Sequence, residues 1–378
     1  MKESWSYTEE RLLLTAGSMG QLLTQLRPHI SARLINGQGW ERVVARAHET
    51  PATMGAFPFG FEIPLHDPEP RADFGVTLVG GSRTAALYQE RCAATDNDPA
   101  AALVWLLDQT EREDSLLRRV VGSKMLLEYD IDPGADDARP RPGIFLYPVD
   151  DVLAGGAGRL RELGAVHDAL VFAGGWDPDA AERQQLARVY ATLTPDTIIK
   201  ALGTFPERQR TLRIAVTGFK RAGDVTAFLQ RNGWPGQPAA VGEVVSFFAE
   251  RNAFAYLGLH FDVTAAGVGA ALGLSFFAQE KEWLKDIEPW RAVIDGSGAC
   301  GYALPEKLAE LTSWSTGSAT LFAKGGPIML VRGIHHLKFV MAADQVEQVK
   351  AYIFFLLMCT RPDTLTSLSP TSKIPGHR

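Results

Sequence analysis

The sequence predicts an α/β (α+β) fold: a ten-stranded antiparallel β-barrel of repeated helix-strand-strand-helix units, surrounded by helices. Three observations predict it. Pairs of short, alternating apolar runs recur five times, turn clusters join the two members of a pair, and helical spacing returns between pairs. A hairpin with one apolar face must bury it, and the intervening helices offer the cover. Closure of ten antiparallel strands also removes exposed edges.

The elements follow in order. Leucines at helical spacings across residues 9–26, and an amphipathic piece over 40–47, make an N-terminal helical segment of residues 1–54. The first hairpin spans 57–65 and 74–79, around the turn cluster His66-Asp67-Pro68-Glu69-Pro70. A helical stretch over 85–117 leads to the second hairpin, 125–131 with 144–149. Helices over 151–170 and 179–193 precede the third, a strand near Leu202 that Pro206 cuts short, paired with 212–219. Helices over 224–233 and 241–251 lead to the fourth hairpin, 256–263 with 271–278, joined by Ala265-Ala266-Gly267. A helix through Trp283 and Trp290 and a short strand at 321–323 follow. The fifth pair is 328–331 with 336–341, followed by a helix through Lys350 and Leu357. The barrel domain thus covers 55–360, and the Pro/Ser/Thr-rich 361–378 reads as a disordered tail.

Composition narrows the function. With 378 residues, 46% hydrophobic and 22% charged, the chain is globular rather than disordered. A net charge of −6 with no long basic run argues against a nucleic-acid partner. The three cysteines, Cys92, Cys300 and Cys359, are too far apart for a zinc ribbon and odd in number, so a reducing, cytoplasmic location is expected. The N-terminus lacks the apolar core of a signal peptide, and no apolar run approaches the ~20 residues that span a bilayer. No membrane partner is expected.

Alternation sorts the strand faces. If the apolar faces meet the helices, the opposite set lines one chamber: Glu62, Lys124, Glu128, Asp130, Arg213, Tyr256, His260, Asp262, His336 and Lys338, with Tyr147 and Arg332 as further members. In an open sheet the same residues would simply be solvated. Enclosed charges need partners or a ligand. Cations from several strands can hold a diphosphate, a carboxylate can take a proton, and aromatic walls such as Phe145, Tyr147 and Phe277 can shield a carbocation. The pairs His260-x-Asp262 and Glu128-x-Asp130 could contribute metal ligands, but two such pairs do not define a metal site, and none is assigned.

Certain segments carry a resemblance. Phe61-Glu62-Ile63-Pro64, Glu128-Tyr129-Asp130-Ile131 with Ile144-Phe145-Leu146-Tyr147-Pro148, Leu212-Arg213-Ile214-Ala215-Val216, and His336-Leu337-Lys338-Phe339 stand in sequence over about 55–360. This arrangement resembles the aromatic prenyltransferases of the dimethylallyltryptophan synthase type, whose ten-stranded barrel is made of αββα units. The resemblance implies that Glu62 takes a proton from the acceptor. It also implies that Arg213, Arg332 and Lys338 hold a diphosphate and that Tyr147 and Tyr256 shield the cation, with Lys124, Phe277 and His336 as further substrate contacts. A terminal helix is implied after the last strand. The family repeats a Lys-x-Tyr signature on alternate strands. Here Phe145-Leu146-Tyr147 lacks the lysine, Ala215 and Thr217 follow Arg213, and Ser275 and Phe277 stand on the fourth hairpin. The diphosphate cage therefore reads as depleted. The likeness of His260-x-Asp262 and the five-unit rhythm to the pentein fold fails on the cysteine: Cys359 follows an apolar run rather than lying in a Gly-rich loop.

Three functions are consistent with these residues. The first is prenyl transfer from an allylic diphosphate to an aromatic, indole- or Trp-like acceptor in a small molecule or peptide of natural-product biosynthesis. It requires no cofactor, although Mg²⁺ could offset the lumen carboxylates. The second is a repurposed barrel in which Glu128, Asp130, His260 and Asp262 perform acid/base or metal-assisted chemistry on a substrate without diphosphate. The third is a non-catalytic ligand-binding barrel.

Overall fold

The structure is a computed structural model and describes residues 2–93, 101–131, 141–149, 151–208, 210–278, 288–314, 317–323 and 326–359. Eleven strands are present among them: β1 (Phe59–Pro64), β2 (Asp73–Val79), β3 (Lys124–Tyr129), β4 (Gly143–Leu146), β5 (Ile198–Thr204), β6 (Leu212–Phe219), β7 (Tyr256–Thr264), β8 (Gly267–Phe277), β9 (Gly317–Ala323), β10 (Gly326–Ala342) and β11 (Gln345–Met358). The order β11-β1-β2-β3-β4-β5-β6-β7-β8-β10 is closed by pairing of β10 with β11, so ten antiparallel strands form the predicted barrel. The short strand expected near 321–323 is β9, which pairs with Gly326–Arg332 of β10 outside the ring.

Closure comes from a segment that sequence reading places in a helix. Residues through Lys350 and Leu357 form β11, not a terminal helix, and both the periodicity reading and the family resemblance fail there. Glu347, Gln348, Lys350, Ala351 and Leu356 are good helix formers, and a short apolar run is ambiguous by itself. Tertiary demand decides. Val349, Ala351, Ile353, Phe355 and Leu357 are buried at a period of two, and both edges of β11 are paired. The two pieces expected at 328–331 and 336–341 merge into the single 17-residue strand β10, which carries a bulge between Ile334 and His336.

The remaining differences are local. The helix expected from residue 151 begins only at Leu160, because Gly155, Gly156 and Gly158 adopt positive φ. The stretch expected as one helix over 85–117 contains the separate helices Arg83–Ala93 and Ala101–Glu111. The tail 361–378 and Trp283 lie outside the described residues.

The core lies between barrel and helices. Outward residues Phe61, Phe74, Leu127, Ile214, Val216, Leu259, Phe261, Leu274, Phe276, Leu337, Phe339 and Ile353 are buried beneath the helical ring. Each such side chain contributes about 1.5–3 kcal/mol through removal from water. Phe61 packs against Trp40, Phe74 and Phe355, which fixes β1 between its neighbours and beneath the helix Gly37–Ala47. That helix is N-capped by Asn36, whose side chain accepts from the Gly39 amide at 2.7 Å. The N-terminal helix Lys2–Thr15 is tied down by Glu9, which accepts from the Thr84 amide at 2.8 Å at the start of Arg83–Ala93.

Candidate active site

Directly opposed residues on neighbouring strands share a face. Starting at β11, Tyr352 opposes Glu62, which opposes Asp73; two residues on, Gly75 opposes Glu128, and Glu128 opposes Gly143. Phe145 opposes Gly203, Gly203 opposes Arg213, and Arg213 opposes Asp262. His260 opposes Gly273, Ser275 opposes Lys338, and Lys338 opposes Lys350, which returns to β11. The circuit closes without a change of parity, so these residues line one interior face. Two glycines on it make room for neighbours. A Cβ at Gly203 would lie 2.2 Å from the Phe145 ring, and one at Gly273 would lie 2.9 Å from Cδ of Lys338.

The charged centre surrounds Glu62. Its carboxylate accepts hydrogen bonds from Lys350 and from the Tyr352 hydroxyl, and Nζ of Lys338 stands 3.6 Å away while also donating to Tyr352. Burial alone would raise the Glu62 pKa, but Lys338 and Lys350 outweigh it and bring it to about 2. The opposite holds nearby. Burial, reinforced by the Glu62 charge, raises Asp73 to about 6 and Glu128 to about 7. Asp73 accepts from the Ile131 amide at 2.9 Å, which limits its rise. Burial also lifts the Tyr147 hydroxyl, with the Glu128 charge as the second cause.

A second charged pair lies across β6 and β7. Arg213 donates two hydrogen bonds to Asp262, at 2.8 and 3.0 Å, and its guanidinium stands 5.3 Å from the Phe205 ring. Just beyond β3, the half-buried Asp130 pairs with the exposed Arg208, whose guanidinium lies over the same Phe205 ring at 3.8 Å.

Aromatic rings complete the wall. Tyr256 stacks on Phe277 at 4.6 Å, Phe277 on His336 at 5.2 Å, and His336 on Tyr352 at 4.0 Å, a column crossing β7, β8, β10 and β11. His260 stacks on His336 at 6.1 Å. Burial drives the pKa values of His260 and His336 well down, so both rings are neutral, and burial lowers His335 to about 4. The bulge in β10 turns His335 to the same side as His336, and their Nδ1 atoms lie 2.7 Å apart. His335 is the exposed member of the pair, and His336 is buried.

Of the residues chosen from sequence, Glu62, Glu128, Arg213, Tyr256, His260, Asp262, Phe277, His336 and Lys338 share this interior, with Asp130 at its edge and Tyr147 just after β4. Arg332 does not belong. The bulge at His335 reverses the parity of the first half of β10, so Arg332 opposes Phe355 on the outer face, donates to the His29 carbonyl at 3.1 Å and stands 5.1 Å from the Trp314 ring. Lys124 is exposed at the start of β3, 5.3 Å from the Trp5 ring rather than in the charged centre. Sequence reading missed Asp73, His335, Lys350 and Tyr352. The signal for two of them was Lys350-Ala351-Tyr352, a Lys-x-Tyr run hidden by the helical reading of β11.

No helix among the described residues is long and apolar enough to cross a membrane. No family profile matches the sequence, and no curated protein matches it. Solved structures do. The chain is similar to AnaPT from Neosartorya fischeri, with a TM-score of 0.54 at 10% identity, over 91% of this chain and 93% of that one. It also matches 5-dimethylallyltryptophan synthase from Streptomyces coelicolor, with a TM-score of 0.48 at 15% identity over 89% and 97% of the two chains. A third match is 6-dimethylallyltryptophan synthase from Micromonospora olivasterospora, in complex with DMASPP and Trp, with a TM-score of 0.46 at 12% identity over 93% and 97%. A closed ring of ten antiparallel strands within a ring of about 12 helices, matched along nearly its whole length to AnaPT, is the αββα prenyltransferase fold.

Proposed function

We propose that the protein transfers a prenyl group from an allylic diphosphate to an aromatic, indole-like acceptor in a small molecule or peptide. One observation carries the reading: β11 presents Lys350-Ala351-Tyr352 to the interior, beside Lys338 and Glu62. This is the Lys-x-Tyr pattern that the family resemblance leads one to seek, and it replaces the misplaced Arg332. Lys338, Lys350 and Arg213 would hold the diphosphate with charge-assisted hydrogen bonds and stabilise the charge that grows as the C–O bond breaks. Tyr147, Tyr256 and Tyr352 would shield the allylic cation, each ring worth about 0.5–2 kcal/mol.

No role is assigned to a resident Mg²⁺. Asp262 and Asp130 are each engaged by an arginine, and no metal-holding group of His, Cys, Asp or Glu occurs among the described residues. The cations of the chain itself are assigned to the donor instead.

The test is calorimetric titration with dimethylallyl and geranyl diphosphates. Saturable binding that weakens at least ~10-fold in Lys338→Ala and Lys350→Ala is expected, a loss of about 1.4 kcal/mol or more. Absence of binding at millimolar donor contradicts the proposal.

One observation favours a second reading. Arg213 is matched by Asp262, and Lys338 and Lys350 by Glu62, so the interior is close to charge balance without an anion. An uncharged substrate handled by Glu128 and His260 would suit that balance, and turnover of such a substrate without donor binding would establish it.

A further inference from the structure

Resting on the prenyl-transfer reading, we infer that Glu128, rather than Glu62, is the catalytic base that removes the acceptor's ring proton. The geometry separates the two carboxylates. Glu62 is enclosed, with one oxygen engaged by Lys350, the other by Tyr352, and Nζ of Lys338 3.6 Å away, so taking a proton would cost it the ion pairs that its charge holds. Glu128 stands on the same interior face, two strands away and half-buried, and its carboxylate has no hydrogen bond to any described residue. Glycines oppose it on either side, Gly75 and Gly143, and a Cβ at Gly143 would lie 2.6 Å from the Phe205 ring.

The groups that face Glu128 suit it to the task. Glu62, Asp73 and Asp130 repel its charge, while Lys338 and Arg213 attract it. With burial, the balance holds its pKa at about 7, where a base is both ionised in part and strong enough to keep a proton. Glu62, held at about 2, is a weak base. Two carboxyls driven apart in this way divide the work: Glu62 fixes Lys338, Lys350 and Tyr352, and Glu128 titrates.

The step balances. The C–O bond of the donor breaks and its electron pair leaves with the diphosphate. The allylic carbon bonds to a ring carbon of the acceptor. The C–H bond at that carbon then breaks, its pair restores aromaticity, and its proton passes to the Glu128 carboxylate.

The test uses the full chain, dimethylallyl diphosphate as donor and indole as acceptor, with donor binding measured separately by calorimetry. Glu128→Gln is expected to bind donor as tightly as the parent or more tightly, since a repelling carboxylate is removed. It should lose at least ~100-fold in turnover, abolish the alkaline-rising limb of the rate near pH 7, and show a primary isotope effect with ring-deuterated indole. Glu62→Gln should move the limb to lower pH, because the Glu62 charge helps to raise Glu128, but should not abolish it. Donor binding with an unchanged rate and limb in Glu128→Gln, or loss of the limb in Glu62→Gln alone, overturns the inference and leaves prenyl transfer standing. Failure of the parent protein to bind donor overturns both.

Discussion

Glu62 on β1 faces Tyr352 on β11 directly across the pairing that joins the first barrel strand to the last, and its carboxylate accepts the tyrosine's hydroxyl proton in a hydrogen bond. The charged centre of the interior is therefore built on the closure of the barrel. Lys338 and Lys350 meet the same pair from β10 and β11, so folding of the C-terminal strands and assembly of the site are one event.

Tyr352→Phe tests this coupling. It removes one hydroxyl that bonds a buried carboxylate and a lysine, and should cost about 1.5–3 kcal/mol of stability by urea unfolding. The donor affinity should fall in parallel. A variant as stable as the parent would show that the closure does not depend on this contact.

Arg332→Ala and Lys350→Ala separate the outer face from the inner one. Arg332 meets the His29 carbonyl and Trp314, so its loss should lower the melting temperature and leave diphosphate affinity within about twofold, whereas Lys350→Ala should lower affinity at least ~10-fold. The reverse pattern, read by calorimetry, would return Arg332 to the site.

His336→Phe keeps the ring column and removes a buried imidazole that is neutral when folded. A histidine with a depressed folded pKa contributes stability above its unfolded value of ~6.5 and loses it as pH falls below that. The variant should therefore match the parent near pH 8 and exceed it in stability at pH 5, by about 1 kcal/mol or more. Parallel melting curves across this range would count against a buried neutral His336.

Glu128 shows the opposite sign. Its folded pKa of about 7 lies above the unfolded ~4.3, so its contribution is full at low pH and is lost as pH rises through about 7. Glu128→Gln should gain stability relative to the parent between pH 5 and pH 8, by about 1–3 kcal/mol after allowance for water in the interior. A difference that is flat with pH would mean that Glu128 titrates normally.

Close packing of the interior can be tested at Gly273. In Gly273→Ala the new methyl meets Cδ of Lys338 at 2.9 Å and Cβ of His260 at 3.1 Å. Lys338 must shift, and both donor affinity and the urea midpoint should fall, the latter by about 1–3 kcal/mol. An unaffected affinity would place Lys338 outside the donor site.

Much of this was legible in the sequence. Phe59-x-Phe61-x-Ile63 and Leu257-x-Leu259-x-Phe261-x-Val263 alternate strictly, because one face meets helices and the other the interior, and that pattern yielded both the strands and most of the inward residues. The C-terminal strands were less legible for physical reasons. In β11 helix formers such as Glu347, Gln348 and Ala351 mix with strand formers such as Val349, Tyr352, Ile353 and Phe355, and pairing with β1 and β10 decides between them. A single extra residue at His335 moved Arg332 to the outer face, a change of parity that no periodicity count anticipates. Asp73, just before the alternating Phe74–Val79 run, was passed over because strand ends lack a sharp signal.

A crystal of the full chain soaked with dimethylallyl thiolodiphosphate, the unreactive sulfur analogue of the donor, would show where the donor sits. The diphosphate is expected inside the barrel, bonded to Lys338, Lys350 and Arg213, with the allyl chain among Tyr147, Tyr256 and Tyr352. Crystals at millimolar analogue in which Lys350 and Lys338 still hold only Glu62, and no diphosphate lies within the ring of strands, would contradict that placement.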